Sequence, residues 1–380
     1  MRPLIVLSLV LPLAAATPDT GGLNRFAANL YGELARTPGN VVFSPLSIST
    51  ALAMTLAGAR GETAREMTAV LQTPPTAALL DALTRAGNTA GDQLLLAQSL
   101  WVERAFPLLP DFLSAAREQF HAAPQPADFA RNPDAARQAI NRWVAGQTRN
   151  KIETLFAPGS LARDTRLVLA SAVYFNGKWR APFDPRSTAP ATFHTSPSST
   201  LETPFMNQKA HFPYAETPSA QVLEMPYAGG SLAFDVILPK PGVPLATLED
   251  ALRADGISAW LGRLQRREVS VALPKFRAES SYPLREALAA LGMASAFTPA
   301  ADFSGIAGRR DLFLSQVMHK AFIDVGEEGT EAAAATGAVV SLTALARPTV
   351  FRADHPFLFL IRDSGSGAVL FAGRLETPAR

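Results

Sequence analysis

The chain has 380 residues, 48% of them hydrophobic and 18% charged, and a net charge of +2 at pH 7. That balance supplies ample material for a core and excludes a disordered chain. Cysteine is absent, which excludes disulfide and thiolate chemistry. The basic residues are scattered, in groupings no longer than GRLQRRE and GRRD, so neither nucleic acid nor a polybasic membrane surface is an expected partner.

The N-terminus reads MRPLIVLSLVLPLAAATPDT. Arg2 gives a positive end, Leu4 to Leu13 an apolar run, and Ala14 to Ala16 a small-residue cleavage site. Residues 1–16 therefore read as a secretory signal too short to span a bilayer, and the chain is expected outside the cytoplasm, extracellular or periplasmic. There is no Asn-x-Ser/Thr acceptor.

TGGLNRFAANLYGELAR is helical, with Leu23, Phe26, Leu30 and Leu34 on one face. SPLSISTALAMTLAGARGETAREMTAVL reads as a helix and then a second one opened by Thr63 as its cap. QLLLAQSLWVE is a strand, and LLPDFLSAAREQFH a helix capped by Asp111. NPDAARQAINRWVAGQTRNKI is a helix with Asn132 as cap and Pro133 at its first position. TRLVLASAVYFNGKW is a long strand, nearly continuous in apolar residues. From Phe205 to Leu238 the text alternates like sheet, with Ala228-Gly229-Gly230 as a hairpin turn. LATLEDALRADGISAWLGRL is helical, REVSVALPKF a strand, and YPLREALAALG a helix ended by Gly292. LFLSQVMHKAFIDV, HPFLFLIRD and AVLFAGRLE are strands near the C-terminus. Helices come first and sheet later, with no βαβ rhythm. That indicates an α+β fold. No repeat or linker interrupts residues 17–380, so a single domain follows the signal.

A search for catalytic chemistry finds none. There is no Gly-x-Ser-x-Gly elbow. The five histidines, His121, His194, His211, His319 and His355, are widely spaced and form no metal-ligand pattern. GSGAVL lacks the third glycine and the helix of a dinucleotide fingerprint. No enzyme activity, metal or cofactor is expected. His319, in an apolar strand, reads as a hydrogen-bonded core histidine.

One segment fits neither loop nor helix. Glu327 to Phe351 reads EEGTEAAAATGAVVSLTALARPTVF, alanine-rich yet without a helical face, and free of charge and proline from Ala332 to Ala346. A surface loop collects Pro, Asp, Asn and charge.

Here the chain resembles the serpin family. The likeness runs from about Gly22 to Leu375 and rests on five blocks in order: NVVFSPLSISTALAMTLAGARGET, INRWVAGQTRNKI, SAVYFNGKWRAPFD, LSQVMHKAFIDVGEEGTEAAAAT and FRADHPFLFLIRD. The resemblance, to an inhibitory, bacterial and secreted type, implies three β-sheets, eight or nine helices and an exposed reactive-centre loop at about residues 327–350. It implies a suicide-substrate inhibitor whose partner is a serine protease. The protease cleaves the loop, forms an acyl-enzyme, and is trapped when the loop enters the central sheet as a new strand. The alternative within the family is a non-inhibitory binding or carrier protein. A monomer prone to polymerisation is expected.

The loop residues meet the demands of a central strand. No proline occurs between Gly329 and Arg347, so every N–H is available. Thr330, Ala332, Ala334, Thr336, Ala338 and Val340 form one small or apolar face, and Glu331 falls on the other. The hinge implied by the family comprises Glu327, Glu328, Gly329, Thr330, Glu331, Ala332, Ala333, Ala334 and Ala335, with Gly329 giving a permissive backbone at the fold line. Family spacing from that glycine places the reactive bond at Thr343–Ala344, with Leu342 and Leu345 as alternatives. These uncharged residues suit elastase-, subtilisin- or chymotrypsin-like proteases. Arg347 precedes Pro348, so trypsin is not an expected target. Ser44, Ser47, Ser171 and His319 match the family cluster beneath the point where the sheet parts. Ser171 stands where the family usually has Asn, so altered sheet opening or a bridging water is expected there. Trp179 matches a tryptophan at the top of the sheet, and Lys275 a lysine that pairs with Glu327, an exposed pair worth about 1 kcal/mol or less.

Overall fold

The long apolar strand of the sequence is covered on both faces, which is why its polar alternation is lost. In the computed structural model, which describes residues 19–330 and 349–378, Val168, Ala170 and Ala172 pack with Ile140 and Val144 of a covering helix. The intervening Leu167, Leu169, Val173 and Phe175 face the interior.

The helices are α1 (Gly21–Leu34), α2 (Pro45–Ala57), α3 (Gly61–Leu71), α4 (Ala77–Ala86), α5 (Pro110–Phe120), α6 (Pro133–Gln147) and α7 (Leu245–Asp255). Single turns α8 (Ser258–Leu261), α9 (Arg285–Leu288) and α10 (Ser304–Ala307) follow. The strands are β1 (Val41–Phe43), β2 (Gln93–Glu103), β3 (Gln125–Ala127), β4 (Leu167–Lys178), β5 (Ala189–Ser196), β6 (Ser199–Glu216), β7 (Ala220–Pro226) and β8 (Leu232–Pro239). The C-terminal half adds β9 (Gln265–Pro274), β10 (Phe276–Pro283), β11 (Leu314–Val325), β12 (Gly329–Thr330), β13 (Thr349–Arg352), β14 (Phe357–Asp363) and β15 (Val369–Leu375). The class is α+β, as the element order indicates.

One sheet has the order β10-β11-β12-β4-β2-β3. Within it β4 and β11 pair directly and in parallel, from Leu167↔Leu314 to Tyr174↔Phe322. At the far end β12 lies between them, antiparallel to both. The remaining strands form β1-β15-β14-β8-β7-β6-β9-β13, with β5 also on β6. The parts of this sheet are joined through β6, an 18-residue strand. Its start pairs with β5, its middle with β9 and its last residues with β7. An aromatic core that includes Phe175, Trp179, Tyr227, Phe234 and Phe359 fills the space between the sheets.

Several local expectations change. Thr63 does not cap α3; Arg60 takes the N-cap position, and Thr63 is buried with its hydroxyl accepting the Asp302 N–H at 3.0 Å. Asp111 does not cap α5, because Pro110 begins the helix and Leu109 precedes it. Gly256, at φ 71°, divides the stretch from Leu245 to Leu264 into α7 and α8. The sequence reading did not place α4, whose Thr76 accepts the Leu79 N–H at 3.2 Å and whose Leu79, Leu80 and Leu83 are buried. Asn132 caps α6 as expected, accepting the Ala135 N–H at 3.1 Å.

α6 covers the face of β4 that carries Val168, Ala170 and Ala172, so its first turn matters. Asn132→Ala should lower stability by about 1 kcal/mol, read as a lower urea midpoint with an unchanged slope; an unchanged midpoint would contradict this role.

Candidate functional site

The end of β11 turns through Gly326–Gly329, where Gly326 N donates to Gly329 O at 2.8 Å. The chain then re-enters the sheet as β12. Gly329 pairs with Lys178 and Thr330 with Gly177 of β4, while Thr330 also pairs with Val325 of β11. A Cβ at Gly329 would lie 1.9 Å from Gly177 O and 2.7 Å from Lys178 Cα. Glycine is required at the hinge by this close backbone approach, where the sequence reading had assigned it conformational freedom.

Trp179 clamps the turn. Its backbone N–H donates to Glu328 O at 2.7 Å and its indole N–H to Gly326 O at 2.9 Å. The indole stacks on Tyr227, with centroids 4.8 Å apart and planes 16° from parallel. The buried Tyr227 hydroxyl lies 2.7 Å from the Thr330 hydroxyl. Burial pushes the Tyr227 phenol well above its ordinary value, so it stays a neutral hydrogen-bonding group. Phe183 N–H donates to Glu327 O at 2.8 Å. Lys275 Nζ lies 2.6 Å from Glu327 Oε2, and Thr188 Oγ1 donates to Glu327 Oε1 at 2.9 Å. The two ionic side chains are only 22% and 14% exposed. The pair is therefore not the weak, solvent-screened contact expected from sequence; removing Lys275 would strand a half-buried carboxylate. Burial pushes the Glu327 carboxyl up, but Lys275, a backbone N–H and Thr188 outweigh it and hold it below the usual range.

A polar cluster lies farther along the same seam. Ser44 caps α2, its hydroxyl accepting the Ser47 N–H at 3.1 Å. The Ser44 N–H donates to His319 Nε2 at 3.0 Å. That ring nitrogen must therefore be unprotonated, and Nδ1 carries the proton. Nδ1 lies 2.9 Å from Ser171 Oγ, and Ser171 Oγ lies 2.9 Å from Ser47 Oγ. His319 and Ser171 are direct cross-strand partners on β11 and β4. The expectation of a bridging water is corrected: a serine reaches both neighbours directly because the strands and α2 converge on it. Burial pushes the His319 imidazole down to about 3.

The structure thus brings the expected residues together in two groups. Glu327, Glu328, Gly329, Thr330, Trp179 and Lys275 meet at the top of the seam, and Ser44, Ser47, Ser171 and His319 along it. Glu331, Ala332, Ala333, Ala334, Ala335, Leu342, Thr343, Ala344 and Leu345 lie outside the described residues, as does the signal segment. Sequence reasoning missed Tyr227, Thr188 and Gln98. Gln98, opposite Ser171 on β2, donates from Nε2 to Ser47 Oγ at 3.2 Å. A lone amide amid LLLAQSLWV was its available signal. Among the described residues no cluster of His, Cys, Asp and Glu could hold a metal, and no helix is long and apolar enough to cross a membrane.

The depressed His319 value sets a pH dependence. The folded pKa of about 3 lies below the unfolded value of about 6.5, so the unfolded chain binds the extra proton. The stability is present above about pH 6.5 and is lost as pH falls toward the folded value. Between pH 7 and pH 4.5 the loss from this group should be roughly 2–3 kcal/mol. Urea midpoints at both pH values check this. His319→Gln should remove that component, and an identical pH dependence in the variant would rule the assignment out.

A family model described as Serpin (serine protease inhibitor) matches residues 22–378. A serpin-like protein of Thermococcus kodakarensis is 40% identical over 371 residues, covering 95% of this chain and 86% of that protein. The leukocyte elastase inhibitor of Bos taurus is 40% identical over 368 residues, covering 93% and 98%. Among solved structures, a highly specific serpin of the insect Tenebrio molitor superposes with a TM-score of 0.86 at 35% identity, covering 95% of this chain and 98% of that one. Uncleaved ovalbumin also gives 0.86, at 28% identity, covering 95% and 100%. With the hinge seated between β11 and β4 and the polar cluster in place below it, these matches establish that the chain belongs to the serpin family.

Proposed function

We propose that the chain is a suicide-substrate inhibitor of serine proteases with elastase-, subtilisin- or chymotrypsin-like preference. The observation that carries this is the seating of Gly329 and Thr330 between β4 and β11: the first residues of a new central strand are already paired. The relatives named leukocyte elastase inhibitor agree with an uncharged residue at the cleaved bond. The first sixteen residues are read as removed on export.

Continuing the β12 register along β4 shows what insertion requires. Thr330 faces Gly177, so Ala332 would face Phe175, Ala334 Val173, Thr336 Ser171, Ala338 Leu169 and Val340 Leu167. Residues directly opposite in an antiparallel pair share a face. The small even-numbered set therefore meets the interior face of β4, and Thr336 would arrive beside Ser171 and His319. Glu331 would face the half-buried Asn176 on the other side. Ser341 onward would pass beyond the start of β4.

The chemistry follows from that geometry. A protease serine attacks the Thr343 carbonyl, and the Ala344 nitrogen leaves with a proton. The acyl group stays on the protease as an ester. The freed segment from 331 then fills the seam and carries the ester to its far end, roughly 36 Å along β4 by strand rise. Insertion exchanges one parallel contact for two antiparallel ladders, so the native state is held kinetically.

Mixing the chain separately with elastase, subtilisin, chymotrypsin and trypsin tests the reading. The expected result is a detergent-resistant band at the summed mass with at least one of the first three and little or none with trypsin. Clean cleavage without such a band for all four would support the alternative, a non-inhibitory binding or carrier protein. Thr336→Arg should also turn the inhibitor into a substrate, cleaved without complex, because a buried guanidinium would face Ser171. Undiminished complex formation by that variant would show the register to be wrong.

A further inference from the structure

A cavity of about 530 Å³ lies at the end of the six-stranded sheet remote from the hinge. Glu103 at the end of β2, Arg166 just before β4 and Phe313 just before β11 all line it. Its volume is that of a small-molecule site. Ala105, Phe106, Ala130, Pro299 and Phe313 form its apolar wall. Leu109 extends that apolar surface outward. It is one of two large hydrophobic side chains exposed among the described residues, at 37%. Its Cδ2 lies against Gly308, the residue before Arg309.

Most charges in the wall are already engaged. Arg309 sits over the Phe106 ring, 4.9 Å from its centroid, and forks onto Asp311. Arg310 reaches Asp302 at 2.8 Å. Glu103 is buried, and its two oxygens accept the Ala105 N–H at 3.4 Å and the Ala130 N–H at 3.0 Å.

Arg166 differs. Its backbone is pinned on both sides: its N–H donates to Ser315 Oγ at 2.9 Å, and its carbonyl accepts the Glu103 N–H at 2.9 Å. The half-buried guanidinium is oriented by Nη1, which donates to the Arg163 and Thr165 carbonyls at 3.4 and 3.1 Å. Nε and Nη2 make no hydrogen bond among the described residues, and no carboxylate there lies within ion-pair distance. A guanidinium has five N–H donors. The Nε–Nη2 edge is a fork that takes both oxygens of one carboxylate, and such charge-assisted pairs are the strong ones.

We propose that this cavity binds an amphipathic organic monoanion, with its carboxylate forked on Arg166 and a compact apolar body against Phe106, Pro299 and Phe313. A single negative charge fits, because only Arg166 has donors to spare and the Glu103 and Asp311 carboxylates in the same wall oppose a second. The bound ligand joins the end of β2 to the starts of β4 and β11, so it stabilises the folded chain by mass action. The site shares no residue with the hinge or the polar cluster, and it stands whether or not the chain traps a protease.

The test is calorimetric titration of the full chain with naphthalene-2-carboxylate, its uncharged isostere naphthalene-2-carboxamide, and inorganic phosphate. The carboxylate should bind about tenfold more tightly than the amide, the value of a charge-assisted hydrogen bond. It should exceed phosphate, which has no apolar body, by at least as much. The urea midpoint should rise with the carboxylate and stay put with phosphate. Arg166→Gln should bring the carboxylate down to the affinity of the amide and leave the amide unchanged. Phe313→Leu should weaken both alike. Equal affinity for carboxylate and amide, phosphate binding as tight as the carboxylate, or no carboxylate binding at millimolar concentration would overturn the proposal. A preference for the carboxylate that survives in Arg166→Gln would do the same. The comparison of ligands on the unaltered chain decides the matter even where a variant fails to fold. No protease is present, so failure to trap one would count against the inhibitory reading and not against this site.

Discussion

Everything in this molecule turns on one parallel strand contact. β4 and β11 lie side by side in the middle of a sheet, yet the chain enters between them at one end. A parallel pair is slightly less stable per residue than an antiparallel one. Its central position means that a strand added there gains two ladders and two sets of side-chain neighbours. The fold thus holds an unused place for a strand, and the segment after Thr330 has the composition to fill it. Strands already in contact, a covering helix and hydrogen bonds across the seam keep the place closed.

The polar cluster along the seam suits that purpose better than apolar packing would. Ser171 and His319 sit opposite each other on the two strands of the seam, and Ser44 and Ser47 tie both to α2. Each bond contributes about 1 kcal/mol net and depends on direction, so a small displacement ends it. Apolar side chains would weaken more gradually as the strands separate. Keeping His319 neutral by burial avoids a buried charge and leaves one proton to donate to Ser171. Ser171 keeps the chain of contacts because the strands and α2 converge on it, and Gln98 reaches the same hydroxyl of Ser47 from the neighbouring strand.

The two ends of the loop are held by different physics. At the hinge, Trp179 uses its backbone and indole N–H groups on the Glu328 and Gly326 carbonyls, and Tyr227 meets the Thr330 hydroxyl. These are neutral, buried bonds that respond little to solution conditions. The Lys275–Glu327 pair adds charge that is half withdrawn from solvent. At the loop's other end, β13 is a short edge strand that pairs among the described residues with β9 alone.

Much of this was present in the sequence. Apolar continuity in LVLASAVYF marked a doubly covered strand, because burial on both faces leaves an apolar requirement at every position. The absence of proline between Gly329 and Arg347 and the small alternate residues marked a segment able to join a sheet, because ladder pairing needs each N–H and tight strand spacing needs small side chains. Asn132 and Pro133 fixed a helix start through local backbone chemistry. The tertiary structure alone decided the rest. Thr63 looked like a cap and became a buried acceptor, since Asp302 approaches it from a distant part of the chain. Gly329 is required by the Gly177 carbonyl beside it, a neighbour no local pattern reveals. The roles of Tyr227 and Gln98 come from partners 103 and 51 residues away. Short-range backbone preference is written in adjacent residues, whereas the partner of a buried polar group is set only when distant strands converge.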